Sequence, residues 1–125
     1  MDTWDLTQGQ GRYRVRLSAR RMGPDLIVII DNEMAHLGAV ALGEYDHENT
    51  RASVSVITQL GHKEDAVARQ AAYAIAKATR HPACVIAGMH LDGITAEEIE
   101  TLLENSRLAV AAFIRRLERP QPASG

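Results

Sequence analysis

The chain has 125 residues, 46% of them hydrophobic, and a formal net charge of -2, which suits one domain able to bury roughly two-thirds of the surface its unfolded chain exposes. So balanced a charge supplies no positive field to gather nucleic acid or an anionic membrane, which argues against nonspecific polyanion binding. Cys84 is the single cysteine, so no internal disulfide can form, and the polar start with Asp2 and Asp5 lacks the basic and apolar regions of a signal peptide; both point to the cytoplasm.

Residues 1–11 are expected to be a flexible lead-in. From 12 to 20 the chain alternates, with Tyr13, Val15, Leu17 and Ala19 on one face and Arg12, Arg14, Arg16, Ser18 and Arg20 on the other, as in a half-buried strand. The row Arg12, Arg14, Arg16 reads either as an anion contact or, in preference, as charge that protects an edge strand. Gly23 and Pro24 turn the chain, because glycine tolerates positive φ and proline cannot donate to a ladder. Residues 26–30 are an unbroken run of leucine, isoleucine and valine, expected as a central strand buried on both faces. Residues 36–45 and 52–58 read as a hairpin around the polar connection 46–51.

After Gly61 the period lengthens, and Ala68, Ala71, Ala72, Ile75 and Ala76 form one helical stripe ending near Thr79. Alanine there permits close approach at the expense of buried area. Residues 82–91 form the next apolar strand, with Cys84 expected to be buried within it. Thr95 and Glu98 have the spacing of a capping box. The helix it opens keeps Ile99, Leu102, Leu103, Ser106, Val110, Phe113, Ile114 and Leu117 on one face and puts Arg115, Arg116 and Arg119 near its negative end. Pro120 stops it, and residues 120–125 are predicted to be disordered. The architecture is thus α+β: a mostly antiparallel sheet of about five strands in the order ββββαβα, with two helices on one face, in a single domain at 12–119. The apolar face left over predicts a homodimer through it.

His36, His62 and His90 fall at element boundaries, where rigid scaffolds present binding groups. Residues 61–65 place Gly61, His62, Lys63, Glu64 and Asp65 at a helix start. Unpaired N–H groups and a partial positive charge there suit a phosphate, with Lys63 as a point charge; an ordinary acid-rich helix start accounts for the segment equally well. Neither glycine-rich nucleotide fingerprint is present. Three histidines, with Asp92, would suit zinc, yet no short-range ligand pair fixes two of them on one element. Ser53 and Ser55 lack a nucleophile elbow, so no triad and no catalytic residue is expected.

Three stretches carry a resemblance: Ala-His-Leu-Gly-Ala-Val-Ala at 35–41, Gly-His-Lys-Glu-Asp at 61–65, and Ala-Gly-Met-His-Leu-Asp-Gly-Ile-Thr at 87–95. Together with the element order, over residues 13–117, they resemble the small LpdD-type prenylated-flavin chaperones, known also as the D component of gallate decarboxylase and distantly related to proteasome-assembly chaperones. The resemblance implies a dimer without turnover of its own, which binds reduced prenylated FMN as cargo and delivers it to an apo UbiD-type decarboxylase. Motif matches and the physical argument together assign cofactor binding to His36, Gly38, Gly61, His62, Lys63, His90 and Asp92, with no metal ligand. Gly93 stands where relatives often carry asparagine. The competing readings are an assembly subunit that contacts a decarboxylase without flavin, and a metal-dependent enzyme.

Overall fold

Period-two alternation and β-branched runs become strands in the computed structural model, which describes residues 2–58 and 64–119. One mixed sheet contains β1 (Thr3–Gln8), β2 (Val15–Met22), β3 (Asp25–Asp31), β4 (Ala39–Asp46), β5 (Arg51–Thr58) and β6 (Ala83–Gly88), in the spatial order β1, β2, β3, β6, β4, β5. Helix α1 (Asp65–Thr79) precedes β6, and α2 (Ala96–Glu118) follows it. The α+β expectation holds. Every pairing is antiparallel except that of β3 with β6. The predicted tail at 120–125 and its Pro120 stop lie outside the described residues.

The sheet has one strand more than the sequence reading counted. Thr3–Gln8 is a strand at the sheet's edge rather than a flexible lead-in. It is fixed by Trp4 and Leu6, whose side chains share the face of Leu17; the Trp4 ring meets Phe113 edge-on with centroids 5.5 Å apart. Two apolar residues in a polar hexapeptide are too few for a periodicity signal. With β1 in place β2 is interior, so the arginine row does not protect an edge, and that preferred reading is corrected.

Inward residues of the strands, Val15, Leu17, Leu26, Val28, Ile30, Ala41 and Val85 among them, form the core under both helices. Helix α1 packs over β4, β5 and β6, and α2 over β1 and β2. The alanine stripe does what its residue sizes allow: Ala68, Ala71, Ala72 and Ala76 are buried, and α1 comes so close to β4 that a Cβ on Gly43 would run into the carbonyl oxygen of Ala72. The α2 start is the expected capping box, with Thr95 Oγ1 accepting from the Glu98 N–H at 3.2 Å and Glu98 Oε1 accepting from the Thr95 N–H at 3.0 Å.

Among the described residues no helix covers the opposite face of the sheet. Strand β3 is therefore buried on one face only, with Ile27 half-buried and Ile29 exposed. Cys84, expected in the core, is half-buried and alternates with the core residues Ala83 and Val85, so it too lies on the uncovered face. The register aligns Ile29, Ile86, Val40 and Ile57 in one row across four strands, and Ile27, Cys84 and Leu42 in the next.

Gly43→Ala tests the helix-to-sheet contact. The added methyl meets backbone, which yields less readily than a side chain, so a loss of about 1–3 kcal/mol in chemical denaturation is expected. A change below about 0.5 kcal/mol, the range of an ordinary surface substitution, would show that α1 is not held this close.

Candidate functional site

Because β3 and β6 run parallel, both leave the sheet at the same edge, where Asp31 lies opposite Gly88. Strand β4 enters there, with Ala39 opposite Ala87, and so does β2, with Arg16 opposite Asp31. The carboxyl ends of parallel strands form the crevice in which open sheets usually take ligands. The loops that follow β3 and β6 therefore meet at one place.

Asn32 joins them. It is 2% exposed; its Nδ2 donates to the His90 carbonyl at 2.8 Å, and its Oδ1 accepts from the His90 N–H at 3.1 Å. Glycine at 88 leaves space for the loop above it, since a Cβ there would run into the His36 carbonyl oxygen. The Gly38 N–H donates to the Ala87 carbonyl at 3.0 Å, and the Glu64 side chain occupies the space a Cβ on Gly38 would need. Held in this way, the His36 and His90 rings lie with centroids 5.5 Å apart at a tilt of 38°. His36 precedes β4 rather than opening it, and His90 lies beyond the end of β6. Asp92 Oδ1 is 3.0 Å from His90 Nε2; a carboxylate accepts there, which makes Nε2 the protonated ring nitrogen and fixes the ring's orientation.

Four of the expected contacts, His36, Gly38, His90 and Asp92, are thus brought to one edge of the sheet. Gly61, His62 and Lys63 lie outside the described residues. Glu64 lines, with His90, an apolar slot of about 260 Å³ whose walls include Val67, Met89, Leu91, Ile94, Ile99 and Leu102. Among the described residues no group of three or more His, Cys, Asp or Glu side chains is placed to hold a metal ion.

On the other side of Leu91 lies a groove of about 410 Å³, lined by Gly11, Arg12, Arg14, Arg16, Asn32, Glu33, Met34 and Leu91. Arg12 stands on the single 3-10 turn Gly11–Tyr13 before β2. Its Nη2 donates to the Asp92 carbonyl at 3.0 Å, and its Nε lies 3.4 Å from Glu98 Oε2. The Tyr13 hydroxyl donates to the same Glu98 oxygen at 3.1 Å. The Thr95 backbone N–H, with help from the Tyr13 hydroxyl and the Arg12 charge, holds the Glu98 carboxyl below the usual carboxylate range. Its hydrogen bond to Glu98, followed by desolvation, raises the Tyr13 hydroxyl above the usual phenol value. The capping box of α2 therefore also anchors the loop that carries Asp92.

Asn32 and Leu91 did not stand out in the sequence. Asn32 sits in Asp-Asn-Glu after an apolar run, the composition of a solvated turn, and its partner His90 is 58 residues away in the chain. Only the long-range contact reveals it.

The family model for the prenylated flavin chaperone LpdD-like domain matches residues 9–118. No curated protein is significantly similar in sequence. Among solved structures, a chain from the crystal structure of a novel chaperone complex for yeast 20S proteasome assembly superposes with a TM-score of 0.60 at 15% identity, over 94% of this chain and 97% of that one. At that identity the likeness is one of fold.

Asn32→Asp retains the acceptor for the His90 N–H and removes the donor to its carbonyl. Leaving that buried oxygen against a carboxylate is expected to cost roughly 1–3 kcal/mol in urea denaturation and to move the His90 ring resonances in NMR spectra. Unchanged stability and spectra would remove Asn32 as the organiser of the loops.

Proposed function

We propose that this chain, which belongs to the prenylated flavin chaperone LpdD-like family, is a cytoplasmic, non-catalytic carrier that binds reduced prenylated FMN and delivers it to an apo UbiD-type decarboxylase. The observation that carries the reading beyond the family is the pair His36 and His90, held 5.5 Å apart beside an apolar slot. A prenylated flavin is a polycycle enlarged by an apolar isoprenoid unit. Its apolar part suits walls of Val67, Met89, Ile94 and Ile99, while imidazole faces and edges supply stacking and hydrogen bonds to the polar ring. His90, oriented by Asp92, serves here to position cargo.

The carrier works as a homodimer on this reading. Two apolar rows cross the uncovered face, and Ile57 there is 77% exposed. A second copy related by a two-fold axis would bury the same rows on both partners. An uncovered apolar surface of this extent is otherwise an association hazard.

Anaerobic titration with reduced prenylated FMN is the deciding experiment. Saturable binding with one equivalent per chain is expected, weakened at least about tenfold by His90→Ala, equivalent to roughly 1.4 kcal/mol. No binding by the wild-type chain would overturn the proposal in favour of a flavin-free assembly subunit, a reading to which the exposed Met34 and Leu37 lend themselves.

Sedimentation at micromolar concentration is expected to show a dimer, and Ile86→Glu a folded monomer. A wild-type monomer, or an Ile86→Glu dimer of unchanged affinity, would rule out this interface.

A further inference from the structure

We infer that the phosphate of the cargo binds in the groove at the start of β2, on Arg14; the inference rests on the flavin-carrier reading above. Three guanidinium groups line the groove, and two of them are already engaged. Arg12 is tied to the Asp92 carbonyl and to Glu98, and Arg16 Nε lies 3.1 Å from Asp31 Oδ1. The Arg14 backbone N–H donates to the Gly11 carbonyl, but its side chain lines the same groove and, among the described residues, makes no hydrogen bond or ion pair. Of the three guanidinium groups its fork is the one left without a side-chain partner, and it suits two oxygens of one phosphate.

The neighbouring charges limit what can enter. Arg12 is balanced by Glu98 and Arg16 by Asp31, and Glu33 also lines the groove. With Arg14 set against Glu33 the groove carries no net charge, so a diphosphate or a nucleic-acid backbone would leave more uncompensated negative charge there than a single phosphate monoester held by the Arg14 fork. Position agrees with charge. Leu91 lines both the arginine groove and the apolar slot beside His90, so a ligand with an apolar body and one anionic end can occupy both by passing over that side chain. Arg12, through its bond to the Asp92 carbonyl, holds the two sides together.

The test compares reduced prenylated FMN with its dephosphorylated riboflavin counterpart in anaerobic titrations of the wild type, Arg14→Ala, Arg14→Lys and Lys63→Ala. The wild type is expected to prefer the FMN form at least about tenfold, or roughly 1.4 kcal/mol. Arg14→Ala should erase that preference while leaving riboflavin-form affinity unchanged, which also shows that the variant is folded, and Arg14→Lys should restore part of it. Should Arg14→Ala keep the wild-type preference, the inference is overturned; if Lys63→Ala is then the variant that loses it, the phosphate lies at the start of α1. Should the wild type bind both forms equally, no phosphate site exists and the inference fails while the carrier reading stands. A wild type that binds neither form ends both.

Discussion

The functional edge of this protein depends on one amide. Asn32 leaves β3 and His90 follows β6, and a contact that both donates and accepts holds the two exits in register where the ladder has ended. An asparagine side chain does so, meeting the His90 N–H and carbonyl together as a neighbouring strand would. Because it is buried, an amide lacking either bond would carry a desolvation penalty, which disfavours arrangements that separate the two loops. Gly88 lets the His36 carbonyl pass over β6, and the Gly38 N–H returns the chain to the ladder at Ala87. Backbone contacts bring both residues to this edge, and Asp92 orients the His90 ring. That is a rigid way to present two rings to solvent.

The rest of the molecule divides its surfaces according to residue size. Alanine and glycine on α1 and β4 permit backbone-to-backbone approach, which thins the layer over that half of the sheet. Under α2 the larger Phe113, Trp4 and Leu17 fill a deeper space. The uncovered face has isoleucine, valine and leucine at its centre, with Ser18 and Arg20 beside them on β2 and Ser55 on β5. An apolar centre with a polar rim is the pattern of a surface made for another protein surface. On the carrier reading, ligand binding at the sheet edge and association through the face need not compete.

Much of this was legible in the sequence wherever the signal was local. The capping box at Thr95 and Glu98, the turn at Gly23 and Pro24, and the alternation in β2 are each specified within a few residues, and each appears as expected. Strand β1 was not legible, because its stability comes from Trp4 against Phe113, a contact that exists only once the terminal helix has packed. That one omission propagated: without β1 the arginine row looked like edge protection, and its part in a groove with Asn32, Met34 and Leu91 could not be seen. The candidates His36 and His90 stand out by their places at element boundaries, yet Asn32, which joins their loops, has the surroundings of a solvated turn. Residues whose importance comes from distant partners leave no periodicity to read.

On the carrier reading, the openness of the site is itself functional. A carrier must hold its cargo firmly enough to collect it and loosely enough to lose it to an enzyme, and this requires the recipient to offer more interaction than the donor. The polar contacts here face solvent: the His90 side chain is 43% exposed and that of Asp92 83% exposed. Hydrogen bonds and charges in such places orient a ligand while adding less affinity than they would when fully enclosed. Most of the binding free energy must then come from the apolar slot, whose strength scales with the area it covers. A recipient enzyme that enclosed more of the flavin would cover more area and remove water from the same polar groups, and transfer would then run downhill without a conformational trigger in the carrier. Rigid loops are compatible with that scheme, since nothing in the donor has to open.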